Sequence, residues 1–458
     1  MIRKVILFCL CVAFFHTLDA QNNNILFGFS ESPQKLLVNP GAETNYKYHA
    51  GIPLFSGISL NSGSSKLVLS DLFLSGGNFT NKVSNTINKL SSEDYISFNS
   101  QIEVLNLGYR LDDATYISGG FYTEIDFIGY FPKDVAILLN EGNSAYLNKN
   151  FSLAQLTMRF DVLGVLHAGI TRKMSERLTL GGRIKIYSSS LNANTNNNSG
   201  TFTTSNGTNN ILRHSLRNID FEFNSSGIYD GEHVSVDGGS VATNTLLGGN
   251  LGFGLDLGFT YHVSPQLEIS GSILDLGYIS YSKQIKTKTL KGSYDFEGIE
   301  FQFDGNNPTY WEDLTNDFNN KLPRVDNSKP YSLMRPTKIY GALKYSYGES
   351  RSISGTCYNT YNKEYFSNSI GLQIFSILRP QRTHFALTTF YEKALGENFR
   401  TKLTYTVDDF SYTNVGLGMS TLIGKVNTYV LVDNVFGLDH IGYSKRASIQ
   451  LGMNLIFK

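Results

Sequence analysis

From Leu251 to Tyr261 the chain alternates without a break. Leu251, Phe253, Leu255, Leu257, Phe259 and Tyr261 fall on one side; Gly252, Gly254, Asp256, Gly258 and Thr260 fall on the other. A period of two is that of a β-strand, and a run of this length crosses a bilayer when tilted, with apolar side chains toward lipid and small or polar ones toward a wet interior. The same rhythm recurs along the chain. Ile117, Phe121, Ile125 and Phe127 share a face opposite Tyr122, Glu124 and Asp126. Leu166, Ala168 and Ile170 lead to a turn near Ser175 and Glu176. The returning strand sets Leu178, Leu180, Ile184 and Ile186 against Thr179, Gly181, Arg183 and Lys185, which reads as a hairpin with basic residues inside. Ile339, Leu343, Tyr345 and Tyr347 form another lipid-facing row, as do Val415, Leu417 and Met419. Ile449, Leu451, Met453, Leu455 and Phe457 alternate with polar or small residues in the last strand, where barrels of this kind commonly carry an aromatic.

Counting such segments predicts an all-β fold, a transmembrane antiparallel β-barrel of roughly 14 to 16 strands, in a bacterial outer membrane. After the first residues, no segment approaches the ~18 consecutive apolar residues of a spanning helix, so a closed sheet is the way this chain satisfies its backbone in lipid. Loops of two sizes separate the strands. Asn192 to Asn210, rich in Asn, Thr, Ser and Gly, reads as a loop without a packing signal. Trp311, Leu314, Phe318 and Leu322 recur at three and four residues and predict a short helix before Pro323; Asp134 to Asn140 predicts another. The pairs Asp275-Leu276-Gly277 and Asp433-Asn434 are expected to close turns at strand ends, and Asp304-Gly305-Asn306-Asn307 a loop tip.

The N-terminus has a secretory layout. Arg3 and Lys4 precede the apolar run Val5 to Phe15, and a polar stretch closes at Ala20. The expected organisation is a signal peptide over residues 1–20 and a barrel over 21–458. Within the latter, 21–60 supplies an N-terminal plug and first strand. Cys9 and Cys11 fall in the signal, which leaves Cys357 alone and excludes a disulfide framework or thiolate metal cluster.

Composition agrees with a membrane wall. Charged residues make up 17% of the chain, with 27 Tyr, 31 Phe and one Trp, against roughly 25% charge in soluble domains. Taking Arg3 and Lys4 from 39 basic residues, and Asp19 from 39 acidic ones, leaves a net charge of about −1. That balance gives nucleic acid no purchase.

Candidate chemistry is sparse. The eight His are scattered, and His16 lies in the signal. No nucleophile motif surrounds a Ser, no HExxH or Asp/Asn ligand loop is present, and the expectation is no enzyme, no metal and no cofactor. His167 is pushed inward by its lipid-facing neighbours, and an ordinary hydrogen-bonded interior His accounts for it. Alternation directs Glu124, Asp126, Arg183, Lys185 and Asp256 to the inner face. In an open lumen they set solute selectivity; in a filled one they are a neutralising ion-pair lattice, the reading their nearly balanced signs favour. Gly252, Gly254 and Gly258 on that face leave room for bulky inward side chains or a plug.

Short motifs carry a family resemblance. Val38-Asn39-Pro40-Gly41, followed by Gly51-Ile52-Pro53-Leu54-Phe55-Ser56-Gly57-Ile58-Ser59-Leu60, resembles the opening of an uncharacterised family of Bacteroidota outer-membrane barrels. Leu274-Asp275-Leu276-Gly277-Tyr278-Ile279, Pro336-Thr337-Lys338-Ile339-Tyr340 and Val432-Asp433-Asn434-Val435-Phe436-Gly437 extend the likeness over nearly the whole mature chain. The Asn-Pro-small step also looks like the N-terminal segment of FadL-type transporters, and the group resembles barrel subunits of type 9 secretion and gliding machinery. The resemblance implies either passive uptake of a small hydrophobic or amphipathic solute, or a non-transporting scaffold in an envelope complex. The expected partners are outer-membrane lipid, and such a solute or other envelope proteins.

Overall fold

In a computed structural model, described for residues 25–29, 32–73, 76, 78–195, 198–208, 211–230, 233–297, 310–348, 366–396, 398–408, 414–435 and 445–458, the alternating segments close into an antiparallel barrel of 14 strand positions. The first position is shared by two short pieces, β1 (Tyr48–Gly51) and β2 (Ile58–Ser64). The others are β3 (Tyr95–Arg110), β4 (Thr115–Tyr130), β5 (Met158–Lys173), β6 (Leu178–Thr195), β7 (Asn250–His262), β8 (Leu267–Tyr281), β9 (Lys338–Tyr347), β10 (Asn368–Leu378), β11 (Thr383–Ala394), β12 (Phe399–Asp408), β13 (Asn414–Ile423), β14 (Val426–Asp433) and β15 (Arg446–Phe457). Closure comes from β15, which pairs with both β1 and β2 on its free side, for example Tyr48 opposite Phe457 and Leu60 opposite Ile449.

The side chains explain why the sheet closes in lipid. Leu166, Ile184, Leu257, Ile273, Leu343, Ile374, Leu403 and Met453 all stand exposed on the outer face. Left in water, such a continuous apolar wall would drive aggregation. Tyr48, Tyr109, Tyr261, Tyr345 and Tyr347 are exposed at the end where the connections are mostly short, and Phe98, Phe253, Tyr278, Phe385 and Tyr405 toward the other end. Two aromatic rings bracketing an aliphatic band are what a bilayer with two interfaces selects. No helix among the described residues is long and apolar enough to span.

The long-connection end carries more structure than the sequence reading allowed. Asn192 to Asn210 is not a loop in its described parts: β6 runs on to Thr195, and Ser199–Asn206 is a strand paired with Leu212–Ser226. Leu212–Ser226 pairs in turn with Ile285–Phe296, building a sheet that rises out of the wall. The Asn192–Thr195 end of β6 lacks apolar alternation because Asn192 and Asn194 are buried through hydrogen bonds, Asn192 donating to Asp161 at 2.7 Å. Both predicted helices form, as Lys133–Glu141 and Tyr310–Lys321. The loop tip at Asp304 to Asn307, the signal over residues 1–20 and Cys357 lie outside the described residues.

One corner of the raised sheet gives a pH-dependent expectation. Asp295 accepts from Ser215 Oγ at 2.6 Å, Arg217 at 2.7 Å and Arg213 at 3.0 Å. The Ser215 hydroxyl first, then the two guanidiniums, hold its carboxyl below the usual carboxylate range. A lowered folded value stabilises the charged form; the contribution is complete above the unfolded value of about 3.9 and disappears as pH falls through the folded one. The protection of Leu212–Ser226 against hydrogen exchange, relative to the intrinsic rate at each pH, should therefore fall below about pH 4, and Asp295→Asn should remove that acid-dependent part.

Candidate functional site in the barrel interior

Inward alternation brings a lattice of charges together across strands. In β6 and β7, Arg183 lies opposite Asp256, and Arg183 Nε donates to Asp256 Oδ2 at 2.7 Å. Lys185 reaches Asp256 at 2.9 Å and Asp275 at 2.6 Å. Lys338 adds a 3.0 Å contact to Asp275. Arg335 bonds Glu124 at 2.8 Å and stands 3.8 Å from Asp161, which Arg159 also holds at 2.8 Å. Asp126 pairs with Arg379, at 2.5 and 2.9 Å, and the Asn99 amide bridges it to Glu124 at 3.1 and 3.2 Å.

The five residues singled out from the sequence are all buried. Arg183, Lys185 and Asp256 meet directly, Glu124 joins them through Lys338 and Asp275, and Asp126 is linked to Glu124 by the Asn99 amide. Alternation did not reveal their partners. Arg335 and Arg379 each lie just outside a strand, immediately before Pro336 and Pro380, where no period marks a face. Asp161 continues the inward row Arg159, Asp161, Leu163 of β5 and was legible in principle.

Asp275 corrects an expectation. It does not close a turn: it lies within β8, at a bulge where the register to β7 shifts between Leu255 and Leu257, with φ of 60°. Its backbone N–H donates to Asp256 Oδ1 at 2.7 Å. A bulge re-aims a side chain, and here it turns the carboxylate into the lattice. Asp433 does end β14, with Asn434 left-handed at φ 57°, yet its carboxylate is buried and paired with Arg446 at 3.2 Å. His167 is buried beside the Tyr122 ring, at 5.8 Å between centroids, and its Nδ1 has no hydrogen-bond partner among the described residues.

The N-terminal segment occupies the interior next to this lattice. A short helix, α1 (Lys35–Val38), ends at Asn39-Pro40-Gly41. Arg183 donates to Leu36 O at 2.9 Å and Leu37 O at 2.6 Å, so the same guanidinium serves lattice and segment. Ser272 donates to Val38 O at 2.5 Å, Asn39 to Phe259 O at 3.1 Å and Thr171 to Pro40 O at 2.6 Å. The wall has glycines where the corner touches it. A Cβ on Gly181 would stand 2.0 Å from Pro40 O, and one on Gly258 would stand 2.1 Å from Asn39 Oδ1. Gln34 fixes the helix start, donating to Ser56 O, Glu103 and Asn454 at 2.8, 3.2 and 2.9 Å.

Upstream, Ile25, Leu26, Phe27 and Phe29 fill an apolar chamber walled by Leu274, Tyr340, Phe375, Ile377, Ala386, Tyr429 and Leu431. Phe27 stacks on Tyr340 at 5.0 Å. Lys402, fully buried in the wall, donates to Phe27 O at 2.6 Å, and its ammonium lies 4.4 Å from the Phe390 ring centre. Neither the chamber nor Lys402 was read from the sequence. Apolar residues facing inward from β8, β9, β10, β11 and β14 break the inside-polar rule one at a time, and only the closed wall gathers them.

Residues 40–433 match a family of unknown function (DUF5723). No curated protein matches the chain. Among solved structures it is similar to a FadL homologue of Pseudomonas aeruginosa, at 10% identity over 96% of this chain and 100% of that one, with a TM-score of 0.44. The CymD monoaromatic hydrocarbon channel is similar at 8% identity over 93% and 92% of the two chains, TM-score 0.41. The toluene transporter TodX of P. putida follows at 8% identity over 94% of each chain, TM-score 0.40. At such scores the likeness extends no further than architecture.

Proposed function

We propose, from the premise that this chain belongs to the DUF5723 family of unknown function, that it is an outer-membrane barrel for passive uptake of a small hydrophobic or amphipathic solute, held closed by its own N-terminal segment. The observation that carries this reading is the chamber. Ile25 to Phe29 occupy it as a tethered apolar ligand would, beside a buried ammonium bonded to one of their own carbonyls. A solute with an apolar body and a carboxylate head matches the wall and Lys402 together. Binding it requires the segment to leave, which links occupancy to opening. The interruption between β1 and β2, where Pro53 lacks an N–H and Leu54 and Phe55 stand exposed, offers a weak place in the wall for an apolar solute to pass into lipid.

Equilibrium binding of dodecanoate to the purified barrel tests this. Lys402→Gln removes a charge-assisted contact worth roughly 1.5–3 kcal/mol, so affinity should fall about tenfold or more. Deleting residues 25–29 should raise affinity by removing the competitor. Unchanged binding in both variants would sink the proposal.

Export belongs to the same reading: cleavage after Ala20 would release a chain starting at Gln21, which N-terminal sequencing of envelope protein checks. A second reading, a non-transporting scaffold for envelope proteins such as secretion or gliding components, draws support from Leu139, Ile211 and Val234, which are 85%, 89% and 70% exposed among elements outside the barrel wall. Stoichiometric co-purification with other envelope proteins, from a barrel that binds no amphiphile, favours it.

A further inference from the structure

Above β6 the raised sheet and α2 (Gly238–Thr243) enclose a cleft of about 650 Å³, a size within the range of small-molecule sites. It is separate from the apolar chamber and opposite in character. Tyr229, Ser235, Asn244, Gln284, Lys286 and Asp326 are among its walls. The Tyr229 hydroxyl, the Ser235 hydroxyl and the Asn244 and Gln284 amides make no hydrogen bond to other described residues. Charge inside is nearly offset, with Lys286 Nζ at 3.7 Å from Asp326. Lys286 and Lys288 lie 5.5 and 4.5 Å from the Tyr229 ring centre.

The backbone under these groups is held in unusual conformations. Gln284 adopts φ of 50°, a region an ordinary side chain rarely enters. Its carbonyl accepts from Gly227 N–H at 3.0 Å. Gly227 itself is left-handed at φ 72°, and a Cβ there would stand 2.2 Å from Ser190 O. Strain of this kind persists where the surroundings over-determine it, and it concentrates at ligand clamps.

We propose that this cleft binds an uncharged oligosaccharide. A sugar presents alternating donors and acceptors to satisfy hydroxyl and amide groups, and an apolar ring face to meet the Tyr229 ring. An anionic ligand would meet Asp326 and Asp237, and a purely apolar one would leave the polar walls unpaired.

The test is titration calorimetry of the detergent-purified full chain against a panel of maltotriose, mannotriose, chitotriose and the anionic trigalacturonate. The expected result is saturable binding of at least one neutral trisaccharide, weakened tenfold or more by both Tyr229→Ala and Gln284→Ala. Lys402→Gln should leave it unchanged, so failure of the uptake reading does not mimic failure here. Retained heat-dependent gel mobility shows that each variant is still a barrel. Silence toward all neutral sugars, tighter binding of trigalacturonate, or binding indifferent to both cleft variants would overturn the proposal.

Discussion

Replacing Gly258 with valine should expel the Asn39-Pro40-Gly41 corner from the wall and make the barrel conduct. The native Cα of Gly258 faces Asn39 Oδ1 and Pro40, and its missing Cβ would stand 2.1 Å from the former. Neither side can yield easily. The wall is pinned by its pairs to β6 and β8; the Asn39 amide is held by donating to Phe259 O and accepting from Gly41 N–H, and the corner's backbone by Ser272, Thr171 and Arg183. Overpacking of this sort costs about 1–3 kcal/mol even where relaxation is possible, and relaxation here means giving up those hydrogen bonds together. Gly181→Val should act alike, because its side chain would meet Pro40 O. Gly182→Val is the control: its neighbours on the outer face begin at 3.8 Å. In planar bilayers the wild type and the Gly182 variant should stay silent while the other two conduct, and residues 25–47 should become accessible to protease. A silent, protease-resistant Gly258→Val barrel would show that the corner does not seal the interior.

Asp256→Ala should cost about 3–5 kcal/mol of stability, the usual loss when one partner of a buried ion pair is removed. This carboxylate is fully buried and does three things at once: it takes Arg183, it takes Lys185, and it accepts the backbone N–H of the Asp275 bulge. Its loss strands positive charge beside Leu36 O and Leu37 O and leaves the bulge without its cap. Denaturant unfolding in micelles should show the shift, and Arg183→Met added to Asp256→Ala should recover part of it, since two apolar groups leave less unpaired than one charge. A loss under about 1 kcal/mol would mean that water reaches the site and screens it.

What was legible in the chain follows from where periodicity is enforced. Each barrel strand is pressed between lipid and interior, so its two faces diverge in chemistry, and Leu251 to Tyr261 or Ile449 to Phe457 can be read at sight. Ser199–Asn206 has no such pressure: it stands outside the apolar belt, with Phe202 its single large apolar residue, and looked like a loop. Glu124, Asp126, Arg183, Lys185 and Asp256 were readable as inward because they sit in phase within strands. Arg335 and Arg379 sit at strand margins, and Asp275 sits out of phase at a bulge, so no period reaches them. The apolar chamber is gathered from five strands distant in sequence, and only closure of the sheet puts Tyr340, Phe375 and Leu431 around Phe27.

The join between β1 and β15 sets an order of events. Lys47 N–H donates to Phe457 O at 2.8 Å, and the residue after it begins the strand that meets the final one. The interior segment is therefore tied by a single peptide link to the seam itself. Unless it is threaded through an end of a finished cylinder, it is laid inside while the hoop is still a curved ribbon, and the last zipper of hydrogen bonds then closes around it. On that route, closing the wall and seating the segment coincide.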